Sequence, residues 1–237
     1  MKTTAVIPIR KGSQRVKDKN LRCFAQTSLL KIKIDNLLKV PEIDEIIVNT
    51  NSEEAIKLVI NEYSNTKVHY HRREEYYASS QCSGSEFFRH LGEVTDTDGF
   101  VYTPCTSPFV TPETISKCIQ QYLDEKDTYD SVATVSQIKE FMWYEGKALN
   151  YDPQKAPNSQ NLPDIVALNF GATVTSKEDI IKNGNIIGKK PLFVTINEIE
   201  AIDIDTPLDF FIAEQLYQKL VVEKNNNSSS YSRLYQK

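Results

Sequence analysis

No stretch of this 237-residue sequence approaches the roughly 18 consecutive apolar residues that a membrane-spanning helix requires. No charged-then-apolar leader opens it, so no membrane is expected as a partner and the cytoplasm is the expected compartment. A surplus of positive charge is missing too. The 28 Lys and Arg against 32 Asp and Glu leave a net charge of −4, which argues against nucleic acid as a partner. The four cysteines (Cys23, Cys82, Cys105, Cys118) form no CxxC pair and have no histidine at metal-ligand spacing. They read as reduced thiols rather than a disulfide frame or a zinc site. Two familiar phosphate loops are also absent: there is no GxxxxGK[ST], and no GxGxxG follows the first strand. That excludes a P-loop NTPase and an ordinary dinucleotide binder.

What remains has the ordinary balance of a folded protein, 40% hydrophobic and 25% charged, in a chain long enough to bury a core without staples. Apolar runs at Thr4–Ile9, Glu45–Thr50, Val68–His71, Gly99–Thr103 and Ser131–Ser136 read as strands. Helical periodicity fills Ser28–Val40, Ser52–Tyr63, Glu86–Val94 and Thr111–Leu123 between them. This βαβαβαβαβ order demands a mostly parallel sheet with helices on both faces. The rhythm breaks at Glu140–Pro163, where a hairpin turning at Glu145–Gly146–Lys147 is expected within an inserted arm over about 138–170. Strands at Ile165–Thr175 and Pro191–Ile196 flank a helix at Lys177–Asn183. A sheet edge at Ile202–Ile204 and a helix over Pro207–Val222 follow. One domain over residues 1–224 is expected, with a disordered Asn- and Ser-rich tail at 225–237.

The most unusual segment follows the first strand. Between Arg10 and Arg22 stand six basic residues against one acid, in a chain that is acidic overall. Ligands of open α/β sheets bind beyond the carboxyl ends of the strands, and Gly12–Ser13 lets the backbone approach phosphate oxygens closely. A solvated charge run is the bland alternative; position and the Gly–Ser pair favour phosphate binding. Near the other end, Asp203 and Asp205 are two residues apart, which puts both carboxylates on one face of an extended segment. Carboxylates so placed suit Mg²⁺, which takes one or two from a protein and completes its shell with phosphate and water. The competing reading is a helix cap at Asp205 before Pro207, with Asp209 serving the helix's first turn.

The run from Ala5 to Asn20 (AVIPIRKGSQRVKDKN), Thr106–Ser107–Pro108 and Asp203–Ile204–Asp205–Thr206 together resemble the acylneuraminate cytidylyltransferase family over about residues 4–215. The resemblance implies a Rossmann-like α/β nucleotidyltransferase fold, a homodimer formed through the inserted arm, and Mg²⁺ as cofactor. It also implies a reaction joining CMP from CTP to a 2-keto-3-deoxy sugar acid such as sialic acid, with release of pyrophosphate, in surface glycan synthesis. By matched position, Arg10, Ser13, Lys19 and Asn20 become nucleotide and phosphate ligands, with Gly12 and Arg15 in the same loop. Arg73 becomes a residue near the cytosine with Ser83 beside it, and Asp203 and Asp205 the metal ligands. Arg10, Lys19, Asp203 and Asp205 are the candidate catalytic residues. Where the family reads Gln-Pro-Thr-Ser-Pro, this chain has Pro104–Cys105–Thr106–Ser107–Pro108. The family's sugar-site arginines are absent from Asn158–Pro163 and Ala167–Ala172. A metal-dependent glycosyltransferase and a non-catalytic nucleotide-binding relative are the alternatives. Of the remaining residues, Cys105 reads as a small buried hydrophobe, at least one of His69 and His71 as a surface or packed residue, and Trp143 and Tyr144 as packing for a dimer arm in preference to lining for the sugar pocket.

Overall fold

In the computed structural model, which describes residues 1–13 and 15–222, β1 (Thr3–Ile9) is almost wholly buried on both faces, as a strand inside a parallel sheet must be. Ser28 caps α1 (Leu29–Leu37), which returns the chain to β2 (Glu45–Thr50), parallel to β1 in the register Thr4↔Glu45 to Ile9↔Thr50. Ser52 caps α2 (Glu53–Tyr63), and β3 (Val68–Arg72) adds outside β2. The chain then crosses back through a short α3 (Glu75–Ala78) and α4 (Gly84–Glu93) to β4 (Gly99–Tyr102), on the other side of β1. The direction of winding therefore reverses between β1 and β4, and a crevice opens beyond their carboxyl ends.

Beyond β4 the topology departs from a simple alternation. α5 (Pro112–Glu125), capped by Thr111, leads to β5 (Ser131–Ile138), which does not pair with β4. The twelve-residue β8 (Ile165–Ser176) lies between them, antiparallel to both, and β9 (Pro191–Thr195) closes the far edge parallel to β5. The order is β3-β2-β1-β4-β8-β5-β9, in which every strand but β8 runs the same way. Helices cover both faces. The larger core gathers residues of α1, α2, α5 and α7 (Pro207–Tyr217) against one face, and a smaller one sets α4 and α6 (Lys177–Asn183) against the other. No described helix is long and apolar enough to cross a membrane.

Gly92 is where α4 meets α6: a Cβ there would stand 2.7 Å from side-chain carbons of both Ile180 and Ile181. Gly92→Ala is expected to lower stability by about 1–3 kcal/mol, read as a drop in thermal midpoint, because the helices must separate or the isoleucines leave their rotamers. 

Between β5 and β8 lies the arm. It holds a hairpin of β6 (Trp143–Tyr144) and β7 (Lys147–Ala148), turning at Glu145 and Gly146, both with positive φ. A large bulge precedes it in space. Thr134 of β5 alone faces Asn169–Ala172 of β8, and its hydroxyl accepts from Ala172 N (3.0 Å) and bonds Asn169 Oδ1 (2.7 Å) in place of the ladder. Phe170 within the bulge takes φ 53, a rare conformation for an aromatic residue. 

Two expectations need correction. Ile202–Ile204 is not a sheet edge: Ile204 N donates to Thr106 O outside any strand, leaving the segment as a loop strapped to the end of β4. α4 begins two residues before Glu86, because Ser83 and Glu86 form a reciprocal capping box. Trp143 and Tyr144 are exposed on the arm, where Trp143 Nε1 donates to the Tyr151 hydroxyl at 2.8 Å and the two rings meet edge-on at 6.1 Å. The predicted tail at 225–237 lies outside the described residues.

Candidate active site

The crevice at the β1/β4 reversal is lined by the basic loop. One compartment, about 480 Å³, is bounded by Arg10, Gly12, Ser13, Asn20 and the start of α2 at Ser52 and Glu54. A second, about 300 Å³, is bounded by Arg15, Lys19, Thr106 and Asp205. Arg10, Ser13 and Asn20 border both, so the two form one trough large enough for a nucleotide. Gly12 supplies the loop's left-handed turn with φ 76, and Lys11 N is tied to Asn51 Oδ1 at 2.8 Å. Asn20 lines both compartments, and its Oδ1 is buried without a partner among the described residues.

Asp205 borders the second compartment from the opposite end of the chain, and Asp203 stands beside it on the same loop, within reach of Thr106 and Lys19. Ile204 between them is fully buried, which turns its two neighbours outward. The loop is fixed from behind by Glu200, which accepts from Thr111 N (3.1 Å) and from the Thr114 hydroxyl (2.6 Å). Ahead of it, Thr206 and Asp209 form the capping box of α7, so the helix cap is Thr206 and Asp205 is left free. Arg15 lies 3.2 Å from Asp205, and Lys19 lies 4.0 Å from it while donating to the Ile204 carbonyl. Burial lowers the Lys19 ammonium below the ordinary lysine range, with Asp205 and Asp203 both opposing the shift. Burial raises the Asp203 carboxyl, Thr106 pulls it down, and the charge of Asp205 raises it further. Two carboxylates that repel each other at the edge of a cationic trough fit a divalent ion that shares its shell with phosphate. Among the described residues no third acidic, histidine or cysteine side chain joins them.

Arg73 stands one layer behind the trough. It is 5% exposed, and its Nη2 donates to the carbonyls of Ile9 (2.9 Å) and Asn49 (2.6 Å), while the guanidinium lies 4.8 Å from the Phe87 ring centre. Ser83 lines neither compartment, and its hydroxyl is engaged with Glu86. Cys105 is buried and its thiol is pushed up to about 12 by burial, which removes it as a nucleophile. His69 is exposed, and His71 is half-buried.

Sequence reasoning missed Asn49 and Lys33. Each carried a visible signal: a polar residue in the apolar run of β2, and a lysine on the buried face of α1 between Leu29 and Leu37. Lys33 is wholly buried and donates to the Ser107 carbonyl at 2.9 Å, fixing the turn that carries Thr106.

A parallel sheet with a basic, glycine-containing loop at its reversal and an acidic pair across the trough defines a nucleotidyltransferase. The chain belongs to the cytidylyltransferase family, whose model matches residues 4–228, and is a CTP-dependent nucleotidyltransferase. Among its relatives, a CMP-N,N'-diacetyllegionaminic acid synthase of Legionella pneumophila is 28% identical over 230 residues, covering 92% of this chain and 97% of that protein. N-acylneuraminate cytidylyltransferase A of Danio rerio is 27% identical over 222 residues, 90% of this chain but only 50% of that longer protein. A solved CMP:2-keto-3-deoxy-manno-octonic acid synthetase complexed with CTP superposes with a TM-score of 0.64 at 14% identity, covering 92% of this chain and 99% of that one. At that identity the superposition speaks for the fold.

Proposed function

We propose that the protein transfers CMP from CTP to a 2-keto-3-deoxy sugar acid and releases pyrophosphate, as a step in surface glycan synthesis in the cytoplasm. The observation that carries this is the convergence of Lys19 of the basic loop with Asp203 and Asp205 on one trough. The acid-sugar class follows from the names of the relatives spanning nearly the whole chain. The missing arginines at Asn158–Pro163 and Ala167–Ala172 favour an acceptor other than ordinary sialic acid.

CTP brings about four negative charges, so neutralisation and alignment are the main tasks. Arg10, Gly12, Ser13 and Asn20 hold the nucleotide along the trough, with Arg73 and Ser83 toward the base. Arg10 and Lys19 stabilise the α-phosphate as charge builds on it, and Arg15 or Lys17 receives the departing pyrophosphate. The anomeric hydroxyl attacks the α-phosphorus in line with that leaving group. Mg²⁺, held by Asp203 and Asp205, would supply charge neutralisation of the phosphates. The exposed apolar residues of the arm, among them Phe141, Tyr144 and Leu168, are proposed to be covered in a homodimer.

A pyrophosphate-release screen tests this, pairing CTP and the other nucleoside triphosphates with sialic, legionaminic, pseudaminic and 2-keto-3-deoxy-octonic acids. Release is expected with CTP and with at least one acid other than sialic. Tight CTP binding with no release across the panel would leave the non-catalytic alternative standing instead.

A further inference from the structure

A relay of side chains on β2 and β3 ends at Arg73. Arg73 Nε donates to Asn49 Oδ1 at 2.6 Å, and Asn49 Nδ2 lies 2.9 Å from Nδ1 of His71. An arginine can only donate, so the oxygen of Asn49 must face it, and the amide nitrogen must then donate to His71. A ring nitrogen that accepts carries no proton. The relay therefore requires His71 to be a neutral imidazole with its hydrogen on Nε2.

A second proton on His71 would place an N–H against the amide NH2 of Asn49. The amide must then turn over, which sets its NH2 against Arg73 Nε, or the pair must part. In the first case Arg73 Nε loses its acceptor; in the second the Asn49 amide loses the partner that orients it, while Nη2 keeps its bonds to the carbonyls of Asn49 and of Ile9, a residue of the trough wall. The surroundings favour the neutral ring. Burial and Arg73 both lower its affinity for a proton, and only Glu74 opposes them. From α4, His90 meets the His71 ring edge-on at 5.7 Å and is itself stacked on Tyr77 of α3 at 3.7 Å. Burial, His71 and Arg73 lower the proton affinity of His90, with Glu74 and Glu93 opposing, and its Nε2 is buried without a partner among the described residues. Tyr102, Arg10 and Cys82 are the other titratable groups that act on Arg73.

We propose that Asn49 and His71 are positioning residues for nucleotide binding: neutral His71 fixes the Asn49 amide, and the amide fixes Arg73 at the nucleotide trough. The inference rests on the reading that Arg73 serves the nucleotide, and it adds a proton-dependent affinity to that reading.

Two measurements on the full chain test it. Imidazole nitrogen shifts at pH 7.5 are expected to show His71 as the Nε2–H tautomer; the Nδ1–H tautomer or a charged ring would overturn the relay. Calorimetric CTP affinity with Mg²⁺ and no sugar is then compared between wild type and His71→Gln from pH 8 to 5.5. Glutamine offers an acceptor to Asn49 and does not titrate, and the protonation of CTP itself cancels in the ratio of the two affinities. Wild type is expected to lose affinity relative to the variant by about two- to tenfold over that range, the span one net hydrogen bond is worth. A constant ratio would sink the relay. Arg73→Ala separates the two levels: CTP binding as tight as wild type would remove the underlying reading. Weakened binding alongside a constant His71→Gln ratio would remove the relay alone.

Discussion

An Asp203→Asn, Asp205→Asn double variant is expected to lose about three orders of magnitude of CTP-dependent pyrophosphate release while remaining folded. Loss of one preorganised electrostatic partner costs roughly 10²–10³ in rate, and this change removes two groups from the phosphate trough. The fold should tolerate it. The pair's ion pairs, Arg15 and Lys19 with Asp205, involve a half-exposed carboxylate, and exposed pairs of that kind contribute about 0–1 kcal/mol, while asparagine at 203 can still accept from Thr106. The substitution also removes repulsion between the carboxylates. Two further readouts separate loss of a cation site from general damage. CTP binding should tighten on adding Mg²⁺ in wild type and not in the variant. Lys19 should lose its proton at a lower pH, because burial then acts without the two opposing carboxylates. Ordinary turnover by the double variant would end the assignment.

Lys33→Met is expected to make the protein more stable and less active. Burial pushes the Lys33 ammonium down to about 8, against 10.5 in the unfolded chain. Between those pH values the unfolded chain binds more protons than the folded one, so wild-type stability rises with pH across that window. Below it, the folded protein carries the full cost of a buried charge, roughly 3 kcal/mol for a displacement of this size. Methionine removes that cost and loses one hydrogen bond, worth about 1 kcal/mol, to Ser107. Urea unfolding at pH 7 should therefore show a gain of roughly 1–2 kcal/mol, and the rise in stability between pH 8 and 10.5 should be absent. Activity should fall severalfold, because the turn carrying Thr106 loses its buried anchor. A variant less stable than wild type at pH 7 would show that Lys33 contributes more than it costs.

The sheet's first half was legible because local signals and tertiary structure agree there. Ser28, Ser52 and Thr111 cap helices whose apolar faces meet the sheet, β1 is apolar from Ala5 to Ile9, and β2 carries the apolar run Ile46–Val48. The second half was less so. The apolar run of β8 carries no information about which neighbours it will join, and its place between β4 and β5 is decided by long-range pairing. Ile202–Ile204 read as a strand because its alternation is real: Ile204 points inward, with an aspartate to either side. The hydrogen-bond partner of that segment, however, is a loop carbonyl rather than a sheet. The basic loop and acidic pair were visible as charge against an otherwise acidic chain. Asn49, His71 and Lys33 were harder to find because what matters about them is their partners across the fold.

The bulge opposite Thr134 has an evolutionary consequence. It takes up three extra residues in β8, an odd number, so the alternation of side chains is reset between the two ends of one strand. Thr173 and Val174 are fixed by their neighbours in the core, whereas Val166 and Leu168 follow a separate phase toward solvent. Ribbon and sheet can therefore accumulate substitutions independently, with the joint absorbing any mismatch in length. A lineage can remodel its outward-facing arm, and with it whatever the arm meets, while the nucleotide half stays unchanged.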